Sequence, residues 1–240
     1  MKRLNLFLLL ICIFFCSCSS LSYLSTIKSS TQGVEQGEIG EFIVDNDSLQ
    51  IIYNFNGINA PIHVEVYNKL SKPLYVDWNR SAIVINGTAT NYIGKTTKIY
   101  GRATGSTYGT ENYSWGRANF VGNVDLAVPI SIIPPKSRIK ETHLSLKVKF
   151  QNIDTKQFTR TKIGLSGGSE YARAEQASFS ENDTPFAFQS FLTLQYEGEG
   201  YFHYDNDFYV EKLIILKDRV GYGELPNNIK NRADYFYMNE

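Results

Sequence analysis

PIHVEVYNKLSKPLYVDWNRSAIVINGTATNY, residues 61–92, is the stretch whose pattern decides the fold. Ile62, Val64 and Val66 alternate with His63 and Glu65, a period of two that puts apolar residues on one face of an extended strand. Lys69 to Pro73 then supplies turn chemistry. Ala82–Ile85 and Thr88–Tyr92 flank Asn86-Gly87, a pair whose tolerance of left-handed dihedrals favours a tight hairpin. Outward from this segment the same alternation recurs. Leu49, Ile51, Tyr53 and Phe55 enclose Gln50 and Asn54, and Asn56-Gly57 follows as a reversal. Leu144, Leu146, Val148 and Phe150 are separated by Ser145, Lys147 and Lys149, the cleanest strand pattern in the chain. These are half-buried antiparallel strands, apolar on the core side and polar outside.

Leu126–Ile133, Gln157–Ile163, Phe188–Tyr196 and Phe208–Leu216 are further strand candidates. With about ten strands at this spacing and no long helical pattern, the expected fold is an all-β antiparallel sandwich. Tyr171–Ala177 is the one short stretch with helical character. Gly94–Gly122, rich in Gly, Thr, Tyr and Asn, reads as a long loop: either a functional loop or a boundary between two small sandwiches. No Pro/Ser-rich linker divides two cores, so one sandwich over residues 38–217, with a C-terminal tail over 218–240, is the simpler organisation. Pro134-Pro135 lacks two backbone donors and belongs at a strand end or an edge.

At the N-terminus, Lys2 and Arg3 precede an apolar run from Leu6 to Phe15, the order of a secretory signal. That run is too short to cross a bilayer, which takes about 20 apolar residues. Phe15, Cys16, Ser17 and Cys18 resemble the lipobox of bacterial lipoproteins, with Phe15 in place of the usual leucine. The resemblance implies cleavage after residue 17, lipid on Cys18, and an outer-membrane anchor. Residues 18–37 then read as a flexible tether, Ser/Thr-rich and without an acid before Glu35, which in this resemblance implies a periplasm-facing domain. All three cysteines lie at or before position 18, so a mature chain starting at Cys18 has no disulfide framework, cysteine zinc site or cysteine nucleophile in its domain. Residues 61–92 also resemble the opening of the immunoglobulin-like β-sandwich found in exported lipoproteins of Gram-negative bacteria. That resemblance implies fold class and location, and no activity.

The 240-residue chain balances 24 Lys+Arg against 24 Asp+Glu, so no domain-wide field favours nucleic acid. His63, His143 and His203 stand apart, without ligand-like spacing. Asp205 and Asp207 flank Asn206 near Glu197 and Glu199. The cluster offers oxygen ligands suited to calcium but lacks the EF-hand spacing, and a solvated turn is the simpler reading. Ser166-Gly167-Gly168-Ser169 has no lysine after it and reads as a turn, and Asp77–Ser81 as a connection capped by Asp77 or Asn79. No acid, base, nucleophile or metal set can be assembled, so neither an enzyme nor a cofactor is expected.

Above this background stands a set of rings, Tyr100, Tyr108, Tyr113, Trp115 and Phe120, among Gly and Thr. Flat aromatic residues beside polar groups suit sugar and protein recognition, and Tyr108, Tyr113 and Trp115 are the candidate ligand-binding residues. The expected function is a lipid-anchored cell-envelope protein with a non-catalytic interaction or structural module, touching the membrane through its lipid and an envelope protein through an exposed sheet edge or apolar patch. The alternative is a glycan-binding lipoprotein using the rings of residues 100–120.

Overall fold

A computed structural model describes residues 21–93, 98–110, 113–125, 128–146, 148, 150, 153–168 and 170–239. Cys18 and the signal-like segment lie outside them. The strands are β1 (Ser22–Ser29), β2 (Val34–Gln36), β3 (Phe42–Asp45), β4 (Leu49–Asn54), β5 (Gly57–Ile58) and β6 (Pro61–Asn68). They continue as β7 (Leu74–Asp77), β8 (Ala82–Ile85), β9 (Thr88–Asn91), β10 (Lys98–Thr110), β11 (Tyr113–Asp125) and β12 (Ile130–Ile133). Last come β13 (Arg138–Ser145), β14 (Thr159–Gly164), β15 (Tyr171–Ser178), β16 (Ala187–Tyr196), β17 (Tyr201–Leu216) and β18 (Tyr235–Asn239). A four-residue helix, α1 (Asn227–Lys230), precedes β18.

The fold is all-β, with two sheets in a sandwich-like arrangement. The smaller sheet has five strands in the order β13-β6-β4-β3-β2. The larger has eleven, on a path β12-β7-β16-β17-β1-β18-β5, with β8 and β9 joined to β16, and β15 and β14 joined to β17. It is larger than either sheet of an immunoglobulin domain, which holds about seven to nine strands in all. Strands from before and after residues 94–127 share this sheet.

Alternation does what the sequence pattern implies. Leu49, Ile51 and Tyr53 of β4 and Ile62, Val64 and Val66 of β6 are buried, while their neighbours are half-exposed. Across the sandwich they meet an aromatic cluster. Phe208 of β17 packs against Phe55 at 5.0 Å, Phe42 at 5.2 Å and Tyr53 at 5.3 Å between ring centroids. Edge-on ring pairs of this kind contribute about 0.5–1.5 kcal/mol beyond area burial. Asn86 and Gly87, at φ of 50° and 73°, form the hairpin between β8 and β9.

Several expectations are corrected. The Ser/Thr-rich segment read as a tether contains β1, which pairs with β17 on one side and β18 on the other and is buried from Ser22 to Ile27. Its tether-like composition arises because Ser22, Ser25 and Thr26 occupy buried sites. The C-terminal tail is likewise packed: Val220, Leu225 and Tyr237 join Leu24, Ala172, Ala174, Ile214 and Leu216 in a second core on the far face of the larger sheet. The Tyr237 hydroxyl donates to the carbonyl of Val220 at 2.7 Å. Tyr171–Ala177 is not helical but lies in β15, paired with β14 and β17. Of the strand read over Leu144–Phe150, Leu144 and Ser145 close β13, Leu146 and Val148 are buried, and Lys147 and Lys149 lie outside the described residues. Gly57 begins β5, and the chain reverses at Asn59 and Ala60, both at positive φ. Asp205 and Asp207 lie inside the sixteen-residue β17 with Asn206 buried between them, and the turn falls at Glu197–Gly200.

Candidate interaction surfaces

Gly94–Gly122, read as a loop, instead contains most of a two-stranded antiparallel ribbon. β10 and β11, each of thirteen residues, pair in one uninterrupted register from Lys98↔Asp125 to Thr110↔Tyr113. The loop expectation failed because glycines recur every few residues, which weakens a strand pattern without forbidding one. Tyr108 is opposed to Trp115, and Tyr113 lies two residues from Trp115. Directly opposed positions and i, i+2 positions share a face of a pleated ribbon, so the three candidate ligand-binding positions fall together.

A second surface gave no signal in the sequence. β12 is the end strand of the larger sheet on its described path, hydrogen-bonded to β7 on one side. Its inward residues are spoken for: Ile133 is fully buried, and the Ser131 hydroxyl accepts from the Trp78 indole N–H at 2.9 Å. Its outward residues are not covered. Val128, Ile130 and Ile132 are 57%, 44% and 60% exposed. The register carries this strip inward across the sheet, because Ile132 opposes Tyr75, Tyr75 opposes Gln195, and Gln195 opposes Tyr201. Tyr201 is 43% exposed, with the Arg80 guanidinium 4.2 Å above its ring. Scattered apolar side chains are ordinary on a surface, whereas an aliphatic and aromatic strip continuous with an open sheet edge is what a partner strand or apolar face would cover.

Among the described residues the three histidines lie in separate settings. His63 Nδ1 accepts from the Thr142 hydroxyl at 2.5 Å, while Nε2 donates to the Asn56 carbonyl at 3.3 Å. Both ring nitrogens are engaged, and burial holds the imidazole below its ordinary value. The ring lines a shallow hollow of about 260 Å³ with Glu65, Arg138 and Lys140 on the outer face of the smaller sheet, where Arg138 pairs with Glu65 at 2.8 Å. His143 sits at the β13 bulge, which turns it inward, edge-on to Trp78 at 4.6 Å. Burial lowers its pKa, with Glu141 acting the other way. His203 contacts the Thr193 hydroxyl at 3.1 Å and stacks on Phe191, far from a second imidazole in sequence.

At the turn between β16 and β17, Tyr196, Phe202 and Tyr204 line an open cleft of about 380 Å³ with Asn46 and Ser48. The Tyr196 hydroxyl donates to the Ser48 carbonyl at 2.9 Å, and burial pushes its pKa up to about 12. Ser166, read as part of a turn, is in one: Gly167 and Gly168 have positive φ, and the Ser166 hydroxyl is spent on the Leu225 carbonyl. Asp77 caps the following connection by accepting from the Arg80 N–H at 3.1 Å. Among the described residues no three His, Cys, Asp or Glu side chains gather as a metal site requires, and no helix is long and apolar enough to cross a membrane.

No protein-family model, curated protein or solved structure matches the chain.

Proposed function

We propose that this chain is an exported, lipid-anchored envelope protein whose β-sandwich is a non-catalytic interaction module, docking a partner protein on the open edge of the larger sheet. The observation that carries the docking is the strip Val128, Ile130 and Ile132, continued by Tyr75, beside the side of β12 that pairs with no strand among the described residues. A partner strand added there would gain main-chain hydrogen bonds from the edge and apolar contact from the strip, the two components of strand-addition recognition. Export and lipidation are supported by the charge-then-apolar N-terminus and by Cys18 in its lipobox-like setting, as the last cysteine in the chain. The outer membrane, with the domain on its periplasmic side, is the accompanying location.

The test is site-specific photo-crosslinking in cells with a crosslinker at position 132, compared with one at position 171, where Tyr171 is exposed on another part of the larger sheet. One discrete adduct with an envelope protein from position 132, absent from position 171 and lost on Ile130→Lys, is the expected result. Equal adducts from both positions would remove the edge from the reading.

A second reading, a glycan-binding module, is favoured by the ribbon register that opposes Tyr108 to Trp115.

A further inference from the structure

The Trp78 N–H donates to the Pro129 carbonyl at 2.9 Å, which makes Pro129 and Trp78 a hydrogen-bonded pair in continuation of the register between β12 and β7. Antiparallel ladders alternate, so Ser131 and Ile133 also turn their main-chain groups toward β7, while Ile130 and Ile132 turn theirs away. No strand pairs with that outer side among the described residues. Pro134, the next position of the same parity, has no N–H and closes the row. Other end strands carry guarding charges: Arg138 and Lys140 on β13, Arg160 and Lys162 on β14, all exposed. From Leu126 to Pro135 there is no charged residue. Asp77, the carboxylate opposite Ile130, is buried and pairs with Arg80 at 3.5 Å.

We propose that the partner on this edge is a second copy of the chain, the two β12 strands pairing antiparallel about a twofold axis at Ser131. The inference rests on the edge-docking reading and names the partner. In that register Ile130 of one copy opposes Ile132 of the other. Both turn their N–H and C=O outward, so each such pair exchanges two hydrogen bonds. A register shifted by one residue would set outward-facing groups against inward-facing ones and lose those bonds. Opposed residues share a face of the sheet, so Ile130 and Ile132, 44% and 60% exposed, cover their counterparts. The apolar strip then runs unbroken from Tyr75 of one copy to Tyr75 of the other. A twofold interface must match itself: a charged edge would meet its own charge, whereas this one meets no repulsion and offers an unlike partner no charge to complement. A strand pair this short falls below the roughly 1,200 Å² at which stable interfaces begin, so the pair forms reversibly and is read by trapping.

Cysteine trapping in cells producing the full chain tests this, with copper–phenanthroline as the oxidant. The parent chain, which keeps Cys12, Cys16 and Cys18, gives the background. Ser131→Cys sits on the axis, about 4.5 Å from its counterpart between Cα atoms and within disulfide reach. A reducible species of twice the chain mass, above the background, is expected. Ile130→Cys alone lies about 9 Å from its counterpart and should link at least about tenfold less. Chains carrying Ile130→Cys and Ile132→Cys, produced together, should link, and these exposed positions leave the core untouched. Ile132→Pro removes an outward N–H without breaking the ladder to β7, so in the Ser131→Cys chain it should abolish the link at an unchanged urea midpoint. Linking by Ile130→Cys alone as strong as by Ser131→Cys would overturn the register and reduce the contact to collision. Absence of both the Ser131→Cys link and the mixed link would overturn the second copy as partner. In that case a photo-adduct from position 132 with an unlike protein keeps the edge-docking reading, and no specific adduct removes that reading too.

Discussion

The hydroxyl of Ser190 donates to that of Tyr53 at 3.1 Å, joining the two sheets by a polar contact inside an otherwise apolar core. Tyr92 shares the same serine at 2.8 Å, and the Asn206 amide donates to Tyr53 at 3.1 Å. Burial pushes the Tyr53 pKa up to about 12, so its phenol stays neutral in the folded state at physiological pH. Ser190→Ala strips a partner from two buried tyrosines. The expected loss is about 1–3 kcal/mol, read as a lower urea midpoint with an unchanged slope. A midpoint equal to that of the parent chain would show that water replaces the serine.

Acid should weaken the fold through its histidines. His143 and His63 both titrate below the ordinary value of 6.5, chiefly because burial disfavours the imidazolium. An unfolded chain protonates near that ordinary value and so binds more protons than the native one just below it. The sign is therefore stability complete above about pH 6.5 and falling as pH drops through the folded values. Melting temperatures should decline from about pH 7.5 to pH 5, and His143→Phe should shrink the decline. A decline of the same size in that variant would place the effect elsewhere.

Gly40 has φ of +86°, and a Cβ added there would lie 2.4 Å from Asp234 Oδ1. Asp234 is 2% exposed and is held by Arg232 at 2.6 Å and by the Gln36 amide at 3.1 Å. Gly40→Ala combines backbone strain with displacement of a buried carboxylate, so it should cost more than the roughly 1 kcal/mol of a glycine replaced in the left-handed region alone. Thermal denaturation beside Gly87→Ala, where φ is +73° but space is open, isolates the second contribution.

Leu24→Ala in β1 should cost about 2–5 kcal/mol, the range for truncating a fully buried leucine. Removing residues up to Ser29 should abolish the native circular-dichroism spectrum, since β17 and β18 lose the strand between them. A cooperative unfolding transition in that truncated chain would show that β1 is dispensable.

What could be read in the sequence follows from how each strand is exposed. β4 and β6 have one wet face, so their alternation is visible, and Asn86-Gly87 declares its own hairpin. β1 is covered on both faces, by the main core through Tyr23 and Ile27 and by the second core through Leu24, and no alternation survives such burial. Helical character in Tyr171–Ala177 reflected local preference, overridden by pairing with Leu213 to Leu216, some forty residues further along. The ring residues of the ribbon were legible as types, but the register that opposes Tyr108 to Trp115 was not. Ile130 and Ile132 had the composition of any strand, and only the position of β12 at the sheet's end makes them a surface.

β1 begins at Ser22, four residues after Cys18, a reach of about 14 Å for a fully extended chain. If lipid is carried at Cys18, the domain hangs almost directly on the bilayer, and tension from the membrane enters the protein along β1. That strand is clamped by ladders on both sides, to β17 through Ser29 and to β18 through Thr26. Pulling on it shears two rows of hydrogen bonds at once instead of peeling a strand from an edge. Under such an anchor the sandwich would be loaded through a strand held on both sides, and not through one at an edge.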